Sequence, residues 1–232
     1  MISIVIGAYN EENRILRSLR RIQEFTTTCG MDYEVIVVDD GSTDGTADVL
    51  KREAPQGVKI IRYEKNRGKG YALRTGVLAS KGDLVLISDA DLSTPIEEIN
   101  RLLPYLPEYR VAIGSRALAL SKILVKQPWW RQRMGRYFNR FVKLLVLDGF
   151  NDTQCGFKLF AGETARELFR EARIDRFAYD VEILASARKK GYGIVEVPIK
   201  WVNDPASKVD PIRDSLKMLV DLVKIRLSIG RA

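Results

Sequence analysis

A chain of 232 residues with 46% hydrophobic and 29% charged residues is long enough to bury a sizeable core and reads as one α/β domain rather than a disordered polymer. Lys and Arg outnumber Asp and Glu by 38 to 30, and this net charge of +8 favours anionic partners: nucleotides, nucleic acid or an anionic membrane face. Histidine is absent, which excludes serine–histidine triads, histidine general bases and histidine-ligated zinc, while the two cysteines, Cys29 and Cys155, fit no metal-ligand spacing and are expected as reduced thiols.

Ile2 to Ile6 is a β-rich run, followed by the polar loop Gly7-Ala8-Tyr9-Asn10-Glu11-Glu12 and a helix with Ile15, Leu16, Leu19 and Ile22 on one stripe. Tyr33 to Val38 repeats the design. That strand ends at Asp39-Asp40-Gly41-Ser42, where Ser42 or Thr43 can cap a helix running through Leu50. Val58 to Tyr63 is a third strand, and Asn66-Arg67-Gly68-Lys69-Gly70 leads into a helix that ends near Ala79. Leu84 to Ser88 is a short apolar strand that runs straight into Asp89-Ala90-Asp91, and Pro95 opens a helix with Glu97 and Glu98 in its first turn.

Strands alternating with helices at this spacing predict a mainly parallel sheet with right-handed crossovers. The loops at Tyr9 to Glu11, Asp39 to Ser42, Arg67 to Lys69 and Asp89 to Asp91 then gather along one edge, where open α/β sheets bind ligands. No G-x-G-x-x-G follows the first strand and no P-loop spacing surrounds Gly68, so dinucleotide and P-loop enzymes are disfavoured. Two carboxylates one residue apart at such an edge call for a cation. Hard oxygen ligands at that spacing suit Mg²⁺ or Mn²⁺, which would in turn grip a diphosphate.

Val111 to Ser115 is another strand, ending at Arg116. From Ala117 to Leu147 the aromatic residues Trp129, Trp130, Tyr137, Phe138 and Phe141 are interleaved with Lys122, Lys126, Arg131, Arg133, Arg136, Arg140 and Lys143. This reads as one or two amphipathic helices, either at a membrane interface or on the core with a solvated basic face. Asp152 to Lys158 forms a loop entering a strand through Phe160, and helices follow over Glu163 to Ala172 and Tyr179 to Lys190. Ile194 to Trp201 is a strand in which Pro198 suggests an edge or bulge. The tail, Ile212 to Ile229, is a helix that packs on the sheet or lies on lipid. No apolar run reaches the roughly 18 residues of a transmembrane helix, and the first residues read as a strand rather than a signal peptide, so we expect a cytoplasmic chain.

IVIGAYNEE, VIVVDDGSTDGT, NRGKGYALRTG and DADLS, in this order over about the first hundred residues, resemble the inverting nucleotide-sugar glycosyltransferases of the GT-A fold. GSR, DTQCGFKLF, FAYDVEIL and the Ser207-Lys208 pair are similar to the polyprenyl-phosphate sugar synthases, the dolichyl-phosphate glucosyl branch before the mannosyl one. The resemblance covers nearly the whole chain except the tail. It implies one catalytic domain over residues 1–232, with a nucleotide-sugar half over 1–115 and an acceptor half over 116–232.

Carried over residue by residue, the resemblance implies donor binding by Ala8, Tyr9, Glu11, Asp39, Asp40, Arg67, Lys69, Asp89, Ala90 and Asp91, with Asp89 and Asp91 holding Mg²⁺ or Mn²⁺. Arg116, Arg131 or Arg133, and Lys208 are implied at the acceptor phosphate, and Asp180 at the position where hydroxyl-directed relatives keep a base. The implied reaction moves a hexose, glucose from UDP-glucose before mannose from GDP-mannose, onto a polyprenyl or dolichyl phosphate with inversion. A lipid monophosphate is ionised near neutral pH and is itself the nucleophile, so it needs no carboxylate base. The expected partners are the sugar nucleotide, the lipid phosphate and the cytoplasmic face of a membrane, to which the chain would attach peripherally. A soluble glycosyltransferase is the enzymatic alternative. A basic membrane or nucleic-acid binding module is the non-enzymatic one, and it gives no reason for acidic loops at successive strand ends.

Overall fold

The computed structural model describes residues 1–125, 127–204 and 211–231, with 211–215 as backbone only. The first half alternates as the hydrophobic pattern requires: β1 (Ile2–Ala8), α1 (Ile15–Thr28), β2 (Tyr33–Asp40), α2 (Thr46–Glu53), β3 (Val58–Tyr63), α3 (Lys69–Leu78) and β4 (Leu84–Asp89). A 3₁₀ turn over Ile96–Glu98 and the single helical turn α4 (Ile99–Leu102) precede β5 (Val111–Ser115). Then come β6 (Lys122–Val125), α5 (Trp129–Leu145), β7 (Lys158–Ala161), α6 (Gly162–Glu171), α7 (Tyr179–Lys189), β8 (Ile194–Pro198), β9 (Lys200–Val202) and α8 (Pro211–Ile229).

Seven strands form one sheet in the order β3-β2-β1-β4-β7-β5-β8, parallel except for β7, so the expected mainly parallel α/β architecture holds. Side chains alternate across the pleat. Ile4, Ile6 and Leu86 pack into one apolar layer with α1, whereas Val5, Val85 and Ile87 pack into the other with α3, α6 and α7. Chain direction reverses its lateral sense at β1, with β2 on one side and β4 on the other, which opens a crevice at the carboxyl ends of these strands. Register places Ala8 beside Asp39 and Gly7 beside Asp89. At about 4.8 Å per strand, the ends of β2 and β4 stand about 10 Å apart across β1.

Four expectations are corrected. Ser42 and Thr43 do not cap α2, because both are spent on the β1 loop: Asn10 N–H donates to Ser42 Oγ (2.9 Å) and Thr43 N–H donates to Asn10 Oδ1 (2.8 Å). The helix therefore starts at Thr46. Pro95 opens a 3₁₀ turn before any α-helix forms. The basic–aromatic stretch begins with a strand: β6 pairs with β9 in a separate two-stranded sheet, and Pro128 starts the single helix α5. The run from Ile194 to Trp201 is two strands rather than one, since it leaves the large sheet at Pro198, which has no N–H to donate, and joins β6 as β9.

Helices α5 and α8 pack together but turn apolar side chains to solvent. Phe138 and Val142 of α5 are buried, whereas Trp129, Tyr137, Phe141 and Leu144 are exposed. On α8, Met218, Leu222 and Ile225 enter the core while Leu216, Val220, Val223 and Leu227 lie outside, Leu227 at 82% exposure. The tail thus packs on the core by one face and leaves a second apolar stripe exposed.

Candidate active site

The crevice between β1 and β4 is a cavity of about 360 Å³. Its walls are Ala8, Tyr9, Glu11 and Arg14 from the β1 side, Asp40, Asn66, Gly68 and Lys69 from the β2–α3 side, and Asp89, Ala90 and Asp91 from β4, with Arg176 and Phe177 across the mouth. The loops are held by hydrogen bonds rather than by packing alone. Asp40 accepts from Asn66 Nδ2 (2.8 Å), Arg67 N (2.7 Å) and Gly68 N (2.9 Å), so its carboxylate fixes the loop that delivers Lys69. Gly68 sits at φ +113°, and a Cβ there would come within 2.5 Å of the Asp175 carbonyl oxygen, which explains the residue. Glu11 accepts Arg14 Nε (2.6 Å) and Nη2 (2.8 Å), and Arg14 Nη1 reaches Asp204 (2.7 Å) beyond β9. Leu92, just past the acidic pair, takes φ +49°, an uncommon left-handed conformation for a γ-branched residue beside a functional loop.

Lys69 Nζ stands 2.5 Å from Asp89 Oδ1. Burial pushes the Asp89 carboxyl up, but Lys69, Lys158 and Arg116 outweigh it and hold the group below the usual carboxylate range. Asp91 is displaced the other way, upward, by burial and then by the neighbouring Asp89 charge; its Oδ1 accepts the Ser93 N–H (2.8 Å). Burial works against the Lys69 ammonium, yet the carboxylates of Asp89 and Asp180 keep it firmly protonated. One lysine therefore offsets only one of two crowded acids. The pair is a hard, all-oxygen donor set that fits Mg²⁺ or Mn²⁺, and among the described residues no third acid or cysteine completes a cage. An ion here would draw its remaining ligands from diphosphate oxygens and water.

A second, larger cavity of about 640 Å³ opens beside the first. It is lined by Arg116, by Arg131, Arg136, Arg140 and Lys143 of α5, and by Trp201 of β9, whose ring lies beside the Arg116 guanidinium. Asp89 of the crevice and Arg116 of this groove are near enough to feel each other's charge. Asp152 is the one acid among the residues lining it. Its carboxylate takes Arg116 Nε (2.6 Å) and Nη2 (2.8 Å) as a bidentate pair and also accepts the Arg116 backbone N–H (3.0 Å). Burial opposes the Asp152 charge, but Arg116 overrides it and keeps the carboxyl below its usual range.

Of the residues expected at the donor, Ala8, Tyr9, Glu11, Asp40, Lys69, Asp89, Ala90 and Asp91 line the crevice. Asp39 and Arg67 do not. Asp39 is buried, with Oδ1 accepting the Ser42 N–H (3.0 Å), and the Arg67 guanidinium lies 3.9 Å over the Tyr71 ring. At the groove Arg131 contributes, while Arg133 is exposed and stacks over Trp129 at 5.4 Å; Lys208 lies outside the described residues.

Asp180 lines neither cavity. It is buried at the start of α7 against Lys158 of β7, whose ammonium also donates to the Cys155 carbonyl oxygen (2.5 Å). Burial raises the Asp180 carboxyl, with Lys158 and Lys69 countering. It therefore supports the floor beneath Asp89 rather than facing the chemistry. Glu182 likewise turns inward and accepts the Arg173 and Ile174 N–H groups (3.0 and 2.9 Å). Cys155 is a small buried residue against Gly114 and Thr94, and burial pushes its thiol up to about 11. Arg14 and Arg176 line the crevice outside any quoted motif, whereas Asn66 lies in NRGKG and Arg136, Arg140 and Lys143 in the basic–aromatic run, with no site role expected of them. Spacing from Glu11 could have flagged Arg14; nothing local marks Arg176.

An acidic crevice at a sheet switch point beside a basic groove is the arrangement of a transferase of the GT-A architecture, and the chain belongs to glycosyl transferase family 2, whose model matches residues 3–168. The resemblance carried by the motifs thus holds. The chain is 35% identical over 240 residues to the dolichyl-phosphate beta-glucosyltransferase of Dictyostelium discoideum, covering 97% of this chain and 73% of that protein. It is 35% identical over 244 residues to the Homo sapiens protein of the same name, covering 97% and 75%. Among solved structures, mannosyl-3-phosphoglycerate synthase from Rubrobacter xylanophilus superimposes with a TM-score of 0.71 at 22% identity over 98% of this chain and 74% of that one. Glucosyl-3-phosphoglycerate synthase from Mycobacterium tuberculosis, solved with Mn²⁺, UDP-glucose and phosphoglyceric acid, gives a TM-score of 0.71 at 20% identity over 100% and 80%.

Proposed function

We propose that this chain transfers glucose from UDP-glucose to a polyprenyl or dolichyl monophosphate, with inversion and release of UDP. The observation that carries this reading is the groove. It presents five cationic side chains, and its one acid, Asp152, is locked on Arg116. Among the described residues lining the groove no other carboxylate is placed to deprotonate a hydroxyl, which favours an acceptor that arrives already charged. The names of the relatives at 35% identity agree with a dolichyl phosphate acceptor and a glucosyl donor.

In this reading residues 1–115 supply the donor half and 116–232 the acceptor half of one catalytic domain. A phosphate oxygen of the acceptor attacks the anomeric carbon, and the bond from that carbon to the diphosphate breaks on the opposite side. Arg116 and Arg131 hold the attacking phosphate in place, and Lys69 donates to the departing diphosphate. A Mg²⁺ or Mn²⁺ ion on Asp89 and Asp91 would neutralise that diphosphate. Asp40 fixes the loop that carries Lys69, and Asp152 fixes Arg116, so the cations stand ready in both cavities before either substrate arrives.

The long isoprenoid tail has to remain in lipid. The exposed Trp129, Tyr137, Phe141 and Leu144 of α5 and Leu216, Val220, Val223 and Leu227 of α8, flanked by Arg133, Arg140, Lys224 and Arg226, favour peripheral attachment to the cytoplasmic face of a membrane. No helix among the described residues is long and apolar enough to cross one. The proposed partners are the sugar nucleotide, the lipid phosphate and a membrane surface, with no nucleic acid among them. Purified protein given labelled UDP-glucose, Mg²⁺ or Mn²⁺ and membranes should form a chloroform-extractable glycolipid. No labelled lipid from any common nucleotide sugar would overturn the assignment, and label from GDP-mannose alone would move the donor to the mannosyl branch.

A further inference from the structure

We propose that Asp152 is a positioning residue for the acceptor anion, and that Glu196 and Asn139 hold it in register from two different elements; this rests on the acceptor reading above. Arg116 projects from the end of β5, and two of its five guanidinium N–H groups are taken by Asp152, leaving three for a ligand in the groove. The bidentate pair fixes the plane of the guanidinium, which a single contact would leave free to turn. Trp201, 5.4 Å from the Arg116 guanidinium carbon, closes the opposite side.

The loop carrying Asp152 is itself clamped. Glu196 of β8 accepts the Asp152 backbone N–H (2.9 Å) through one oxygen and the backbone and side-chain N–H groups of Asn151 (2.9 and 3.1 Å) through the other. From the other side, Asn139 of α5 donates to the carbonyl oxygens of Phe150 (3.3 Å) and Asn151 (2.9 Å). The same helix carries Arg131, so the clamp sets the separation of the two arginines as well as the attitude of one. Nothing in the reaction requires Asp152 to touch substrate. Its whole effect passes through Arg116.

The test is binding of farnesyl phosphate, a soluble isoprenyl monophosphate, followed by tryptophan fluorescence because Trp201 adjoins Arg116, with UDP affinity measured alongside. Asp152→Asn keeps the shape and removes the charge; it should weaken farnesyl phosphate about tenfold or more while leaving UDP affinity within about twofold, and farnesol should show no difference. Arg116→Ala should weaken farnesyl phosphate at least as much. Combining it with Asp152→Asn should add nothing, because the carboxylate acts only through the arginine. Additive losses, or unaltered farnesyl phosphate affinity in Asp152→Asn, would overturn the proposal. Should Asp152→Asn lose UDP binding too, through misfolding, Glu196→Gln decides: a severalfold loss of farnesyl phosphate with UDP retained supports the clamp, and no loss overturns it. Wild-type protein that makes glycolipid while Asp152→Asn binds normally sinks the clamp alone. Protein that binds farnesyl phosphate through the clamp yet makes no glycolipid sinks the function and leaves the anion site standing.

Discussion

The acidic crevice and the basic groove are built by different means. The crevice is made of strand ends: β1, β2 and β4 fix its width through sheet register, and its loops are tied down by Asn10, Asp40 and Glu11. The groove is made of side chains: one arginine at the end of β5 faces a row of cations along α5, a helix whose other face is apolar and exposed. A sheet edge keeps its geometry whatever the solvent does, whereas a helix with an unpartnered face takes part of its setting from whatever covers it. On the proposed function, the difference suits a small soluble donor on one side and a lipid acceptor on the other.

The contrast can be broken most severely from below. Lys158 and Asp180 form a buried pair, and the Lys158 charge is felt by Asp89 of the crevice and by Asp152 of the groove; Asp180→Ala leaves that ammonium without its counter-charge, at a cost of about 3–5 kcal/mol in urea or thermal unfolding. UDP and acceptor binding should fall together, since the floor is common; selective loss of one would show that the pair serves only that side. Next in size, Asp89→Ala or Asp91→Ala should abolish metal-dependent UDP-glucose binding in calorimetry and cut turnover about 100- to 1,000-fold, while farnesyl phosphate still binds. Arg116→Ala is the mirror image: UDP-glucose binding is kept and the acceptor requirement rises by about 2–3 kcal/mol, or 30- to 150-fold in KM. Equal loss of donor binding in all three would erase the partition.

Smaller effects sharpen the picture. Leu227→Glu places a charge on the exposed stripe of α8 and, on the proposed membrane attachment, should lower sedimentation with anionic vesicles severalfold. Retained vesicle binding in this variant would move attachment elsewhere. Smallest of all, Cys155 with its thiol pushed up to about 11 stays protonated at pH 8, so an alkylating reagent should label only the exposed Cys29 in native protein and both after denaturation. Thiolate reactivity of Cys155 should emerge only as pH rises toward that value. Two labels in the native state would mean that the 152–158 loop opens.

How much was legible in the sequence follows the same divide. The acids of the crevice stand in contiguous loops directly after apolar runs, so predicting the strands also predicts the site. Asp39 and Asp40 show the limit: adjacent residues on a pleat face opposite ways, and only register with Ala8 and Tyr63 decides that Asp40 reaches the loop of Lys69. The groove was harder because α5 begins only at Pro128, and the helix phase that selects Arg131 over Arg133 follows from that start. Pairing of β6 with β9 joins two very short strands far apart in the chain, beyond the reach of local pattern. Asp180 stands in the sequence where hydroxyl-directed relatives keep a base; a lysine on an antiparallel strand, itself unusual inside a sheet, draws it into the core instead.

Arg14 carries a consequence for the history of the chain rather than its chemistry. Its guanidinium is gripped by Glu11 on one side and by Asp204, 190 positions later, on the other. A ribosome that has already delivered every strand of the large sheet has therefore not yet delivered the second jaw of this staple. A nascent polypeptide halted at Val202 would possess all seven strands of the large sheet and both acids of the crevice, yet that crevice would still be missing a wall tie.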